Sequence, residues 1–81
     1  MKVFKFSASW CQPCKMLSKT LEGYDAIDIQ EIDIDKQQEV AIRYGIRSVP
    51  TLVLFDDNGN EVRRKSGVMP IAAFEKFIKG E

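Results

Sequence analysis

SASWCQPCKM, residues Ser7–Met16, holds both cysteines of the chain, separated by two residues and preceded directly by a tryptophan. What flanks this stretch decides its meaning. On its N-terminal side, residues 2–7 carry a valine and two phenylalanines and predict a buried strand. On its C-terminal side the pattern from Cys11 to about Leu21 is helical, with Met16, Leu17 and Leu21 on one side and Gly23 as a stop. The cysteines therefore fall where a strand hands over to a helix. In open α/β sheets, that carboxyl end of a strand is where sites are built.

The remaining chain extends this unit. Residues 27–34 are rich in isoleucine and roughly alternating, and predict a second strand. Asp35 is the expected N-cap of a helix over residues 36–44, ended by Gly45. TLVLF, residues 51–55, reads as a fully apolar third strand. DDNGN is a hairpin turn signal, and EVRRKS, residues 61–66, forms a more polar fourth strand. Gly67 breaks it, Pro70 opens a last helix, and Ile71, Phe74, Phe77 and Ile78 give that helix one apolar face. The order βαβαββα predicts an α/β fold in one domain, residues 1–81. Its mixed four-stranded sheet carries helices on both faces and a right-handed first crossover.

Composition limits the chemistry. At 81 residues with 44% apolar content the chain is a small globular unit, near the lower size at which one core suffices. Twelve basic and twelve acidic residues cancel, so no net field favours nucleic acid or an anionic membrane. No apolar run approaches the roughly 20 residues of a membrane span, and Lys2 and Lys5 interrupt the N-terminal residues too closely for a secretory signal. The expected location is cytoplasmic, where a permanent disulfide staple would be reduced.

Three uses of Cys11 and Cys14 remain. A zinc site takes about four Cys or His ligands; with two cysteines and no histidine, the chain alone lacks half the set. Two unrelated core thiols fit poorly beside Trp10, Gln12 and Pro13. A reversible redox pair fits on three counts. Positions i and i+3 at a helix start approach the ~4.4–6.8 Å Cα separation of a disulfide. Cys11 lies where unpaired backbone N–H groups and the helix dipole favour a thiolate, and is expected to be exposed. Cys14, one turn further in, is shielded and placed to attack a mixed disulfide at Cys11. Pro13 is tolerated in the first turn and stiffens the loop.

WCQPCK resembles the WCGPCK active site of the thioredoxin family, and YGIRSVPTLVLF, residues 44–55, is similar to that family's YGIRxxPTLxxF segment. The likeness runs through Gly67 and the last helix. It lacks the N-terminal strand and helix of full-length thioredoxins, so it implies a minimal thioredoxin fold. It further implies a protein-disulfide reductase with Cys11 as nucleophile and Cys14 as resolving thiol, whose only redox group is that pair, with no bound cofactor or metal. The resemblance makes Pro50 a cis-proline abutting the cysteines, with the Val49 backbone pairing to an extended substrate. Trp10, Gln12, Pro13 and Gly67 would shape the docking surface. Implied partners are thioredoxin reductase, or the glutathione system, as electron donor, and disulfide-containing proteins such as ribonucleotide reductase as substrates, the protein acting as a monomer. Two other readings are a glutaredoxin-like, glutathione-dependent enzyme and a thioredoxin-fold binding subunit of another enzyme.

The chain also departs from the family. A buried aspartate usually stands six residues before the first cysteine, paired with a lysine on the next strand; here these positions are Lys5 and Glu31. The charges are exchanged, and the two residues are expected to form a partly buried pair that tunes Cys14. Strand parity puts Glu31 on the face of Ile27 and Ile29. Residues 63–65, RRK, read as protection of an edge strand rather than as an anion site.

Overall fold

A computed structural model describes all 81 residues. The elements are β1 (Lys2–Ser7), α1 (Gln12–Thr20), β2 (Asp28–Asp33), α2 (Gln38–Arg43), β3 (Thr51–Phe55), β4 (Glu61–Ser66) and α3 (Ile71–Lys79). The sheet runs β2-β1-β3-β4, with β1 parallel to β2 and the other two pairings antiparallel. This is the expected mixed sheet, and it puts β2 and β4 at the edges.

The two faces are packed separately. Val3, Leu52 and Leu54 meet Leu17 of α1, its C-cap Leu21, and Phe74 and Phe77 of α3. Phe6, Val53 and Phe55 meet Ala41 of α2 and Ile32 on the opposite face. Because β3 is central and covered on both sides, all five of its residues are buried, which is why TLVLF shows no alternation. On α1 the buried positions are Cys14 and Leu17, followed by the C-cap Leu21; Met16, expected beside Leu17 and Leu21, is 55% exposed. The true spacing of three and four residues from Cys14 keeps one face inward, and Met16 falls off it.

The connection after β2 differs from expectation. Asp35 does not cap α2, which starts later, with Gln37 as its N-cap and no side-chain capping bond. Instead Asp33 Oδ1 accepts from the backbone N–H groups of Asp35 and Lys36 at 2.8 and 3.2 Å. An Asx turn thus takes up the residues that would have formed the first helical turn.

Edge strand β4 is held by its arginines. Arg63 Nη1 donates to the Phe77 carbonyl near the end of α3 at 2.7 Å, and Arg64 Nη1 donates to the Tyr44 carbonyl at the end of α2 at 2.8 Å. Gly80, at φ +80°, ends α3 against the Arg63 guanidinium: a Cβ there would lie 2.8 Å from Arg63 Nη2.

Candidate active site

The turn from β1 to α1 is set by the Cys11 N–H, which donates to the Ala8 carbonyl at 3.1 Å. Cys11 then adopts extended backbone as the N-cap of α1, with Pro13 in the first turn, where its missing N–H leaves no bond unmade. The Cys11 sulfur accepts the Cys14 N–H at 3.1 Å. Cys11 and Cys14 form a disulfide with a Cα separation of 5.2 Å.

Contrary to the expected exposure of Cys11, both cysteines are buried, at 4% and 2%. The cause is the cap itself: a side chain folded back over the first turn is covered by the loop it faces. Ala8, Cys11 and Cys14 form a small apolar cluster against Val49 and Ile34. Cys11 Sγ lies 3.7 Å from the Val49 carbonyl oxygen. A disulfide sulfur carries no proton, so this contact becomes a hydrogen bond only when Cys11 is a thiol.

The Val49–Pro50 peptide bond is cis. The Pro50 carbonyl accepts the Gly67 N–H at 2.9 Å, and Thr51 Oγ1 lies 3.0 Å from Ser66 Oγ, so this loop and the end of β4 are joined. Gly67 has φ +95°, and a Cβ there would meet nothing within 4 Å. The backbone conformation, not crowding within the chain, is what calls for glycine.

Trp10 is 67% exposed, yet its Nε1 donates to Asp35 Oδ2 at 2.9 Å. A large apolar ring is thereby held at the rim with one polar tether. Gln12 and Pro13 are exposed beside it. The sequence offered no sign of this Trp10–Asp35 bond, because Asp35 already had a local explanation as a cap.

On the other side of the disulfide lies a polar recess of about 330 Å³, bounded among others by Cys14, Ser18, Glu31 and Asp33. Lys5 and Glu31 are register partners across β1 and β2, and Lys5 Nζ lies 3.1 Å from Glu31 Oε1. The pair exists, but its burial is one-sided: the Lys5 side chain is 9% exposed and that of Glu31 58%. Parity placed Glu31 on the correct face, and its edge strand leaves it open to water. Lys5 Nζ also donates to Ser18 Oγ, a contact missed in the sequence although Ser18 stands one helical turn after Cys14.

A family model described as Thioredoxin matches residues 1–80. The chain belongs to the thioredoxin family. Thioredoxin of Chlamydia muridarum is 42% identical over 77 residues, covering 90% of this chain and 74% of the relative. The SPbeta prophage-derived thioredoxin-like protein YosR of Bacillus subtilis is 39% identical over 70 residues, covering 86% of each. Among solved structures, a mutant thioredoxin from Halobacterium salinarum superposes with a TM-score of 0.86 at 37% identity, covering 96% of this chain and 71% of that one. With this membership and its own Cys11–Cys14 disulfide, the protein is a thioredoxin-like disulfide reductase, a thiol–disulfide oxidoreductase whose redox group is built from its own residues. No group of three or more His, Cys, Asp or Glu side chains is arranged to hold a metal ion, and no helix is long and apolar enough to cross a membrane.

Proposed function

We propose that residues 1–81 act as one thioredoxin-like domain in which Cys11 attacks protein disulfides and Cys14 resolves the intermediate. The observation that carries this order is the asymmetry of the pair. Cys11 caps α1 and its sulfur receives a backbone N–H, whereas Cys14 lies one turn in. An N–H aimed at sulfur, at the positive end of a helix, favours the thiolate that attacks.

The Cys11 thiolate attacks one sulfur of a target disulfide; the other target sulfur leaves as a thiolate and takes a proton from water. Cys14 then loses its proton, attacks Cys11 Sγ and expels the second target thiolate. Two electrons have moved to the target, and the Cys11–Cys14 bond is restored. An extended target segment would lie along the Val49 backbone at Pro50 and past Gly67, with Trp10, Gln12 and Pro13 at its flank.

Return to the dithiol requires a two-electron donor, for which thioredoxin reductase is the proposed source, with the glutathione system as the alternative. The substrates are disulfide-bearing proteins, ribonucleotide reductase among them, and the setting is the reducing cytoplasm. The test is trapping with Cys14→Ser. That variant should accumulate covalent mixed disulfides with target proteins through Cys11, and Cys11→Ser should accumulate none. Insulin reduction supported by thioredoxin reductase but not by glutathione would fix the donor; the reverse would assign it to glutathione.

A further inference from the structure

We propose that the buried ammonium of Lys5 is the fixed charge that favours the Cys14 thiolate during resolution, with Glu31 serving as its counter-ion rather than as a proton acceptor. This rests on the assigned order of the two cysteines. Among the buried residues only Lys5 is charged; the other buried polar side chains are Ser7 and Thr51. Its Nζ is fixed by Ser18 Oγ and by Glu31 Oε1, and Ser18 and Cys14 are i, i+4 neighbours on one face of α1. The cation is thereby tied to the residue one helical turn after the resolving cysteine, and Ser18 and Cys14 line the same recess.

The charged residues that line the recess are Lys15 of α1 and Glu31 and Asp33 of β2, and Lys5 of β1 lies behind the wall, bonded to the lining residues Ser18 and Glu31. Burial decides which of them Cys14 feels. Water screens Lys15, which is exposed, and weakens the field of Glu31, which is more than half exposed, without cancelling its compensation of Lys5 at 3.1 Å. Asp33 is engaged by the turn N–H groups of Asp35 and Lys36. Lys5 acts through protein rather than solvent, where a charge reaches further. At the resolving step the Cys14 S–H proton passes to water in the recess. The resulting thiolate attacks Cys11 Sγ, the Cys11–target bond breaks, and the target sulfur leaves with the electron pair. No dedicated base is needed, since the recess is many times the ~10–15 Å³ that holds one water.

The sign of this effect is testable. Reduced protein is mixed with one equivalent of 5,5′-dithiobis(2-nitrobenzoate), and release of the coloured thiolate is followed from pH 5 to 9. The first release reports attack by Cys11. The second is independent of protein concentration and reports resolution by Cys14. Lys5→Met should raise the pH midpoint of the second phase by about half a unit or more, slowing it roughly threefold below that midpoint. Glu31→Gln, which leaves the cation uncompensated, should lower the midpoint, and Lys5→Arg should restore it. Either of the first two variants alone decides the sign. An unmoved or lowered midpoint in Lys5→Met, or a raised one in Glu31→Gln, overturns the proposal, the latter by revealing Glu31 as a base. A first phase lost in Cys14→Ser and kept in Cys11→Ser overturns the assigned order of the cysteines instead, and this proposal with it.

Discussion

On the Cys11 flank the disulfide packs against Val49 beside the Pro50 loop, with the exposed ring of Trp10 next in sequence; on the Cys14 flank it borders a polar recess shared with Ser18 and Glu31, behind which Lys5 is bonded to both. The first flank offers apolar surface and backbone edges, which suit a protein chain of varied sequence. The second offers fixed charge and room for water, which suit the movement of a proton. Two sulfurs 3 residues apart in sequence thus have unlike neighbours. The proposed reading gives substrate approach to one side of this bond and charge management to the other.

The largest way to break this arrangement is to remove the attacking sulfur. Cys11→Ser should lower protein-disulfide reduction by about a thousandfold or more, read as insulin turbidity against time, while the fold is retained.

The second prediction concerns stability and uses the one-sided burial of the Lys5–Glu31 pair. A symmetric buried pair would suffer equally from loss of either partner. Here Lys5→Met leaves Glu31 in water and should cost less than ~1 kcal/mol, whereas Glu31→Gln strands a buried ammonium and should cost ~1–2 kcal/mol. The double variant should resemble Lys5→Met. Denaturant unfolding of the oxidised protein measures all three, and equal single costs would return the pair to a symmetric one.

Trp10→Ala sharpens the other flank. Removing the exposed ring and its bond to Asp35 should raise KM for a protein disulfide ~3–10-fold and change kcat less. A kcat loss with unchanged KM would place the ring's role in the chemistry instead.

The smallest effect belongs to an ion pair outside both flanks. Hydrogen bonds from Arg64 hold the Glu61 carboxyl below its usual range. A lowered folded value stabilises above the unfolded value and is lost as pH falls through the folded one. Glu61→Gln should therefore destabilise slightly at pH 7 and have no effect near pH 2, the difference staying small because both partners lie at the surface. Denaturant midpoints of the two proteins at each pH measure it.

Much of this arrangement was legible in sequence because it rests on local rules. The rough alternation in residues 27–34, the run of four apolar residues after Thr51 in β3 and the helix-start spacing of the cysteines all report their own surroundings. The misses share one cause: they depend on what lies across the sheet or across a loop. Parity gave the face of Glu31 but not its edge position, which follows only from the strand order. Asp35 had a plausible local role as a cap, and a tryptophan 25 residues away took it instead. Cys11 was expected in solvent because helix starts are exposed, and only the packed Val49 loop reverses that. The RRK segment was read as edge protection; neither the Arg63 bond to Phe77 nor the Arg64 bond to Tyr44 has any signature within those three letters.

Those two arginines couple parts of the molecule that lie on opposite faces of the sheet. Neighbours on a strand point to opposite faces, so Arg63 grips the layer of α3 and Arg64 the layer of α2. Peeling β4 from β3 would free the last carbonyls of both helices together. The strand that looks most dispensable, at the rim and mostly in water, is therefore a shared latch. Hydrogen exchange should show the C-terminal turns of α2 and α3 opening in concert with β4, and Arg63→Ala should release α3 alone.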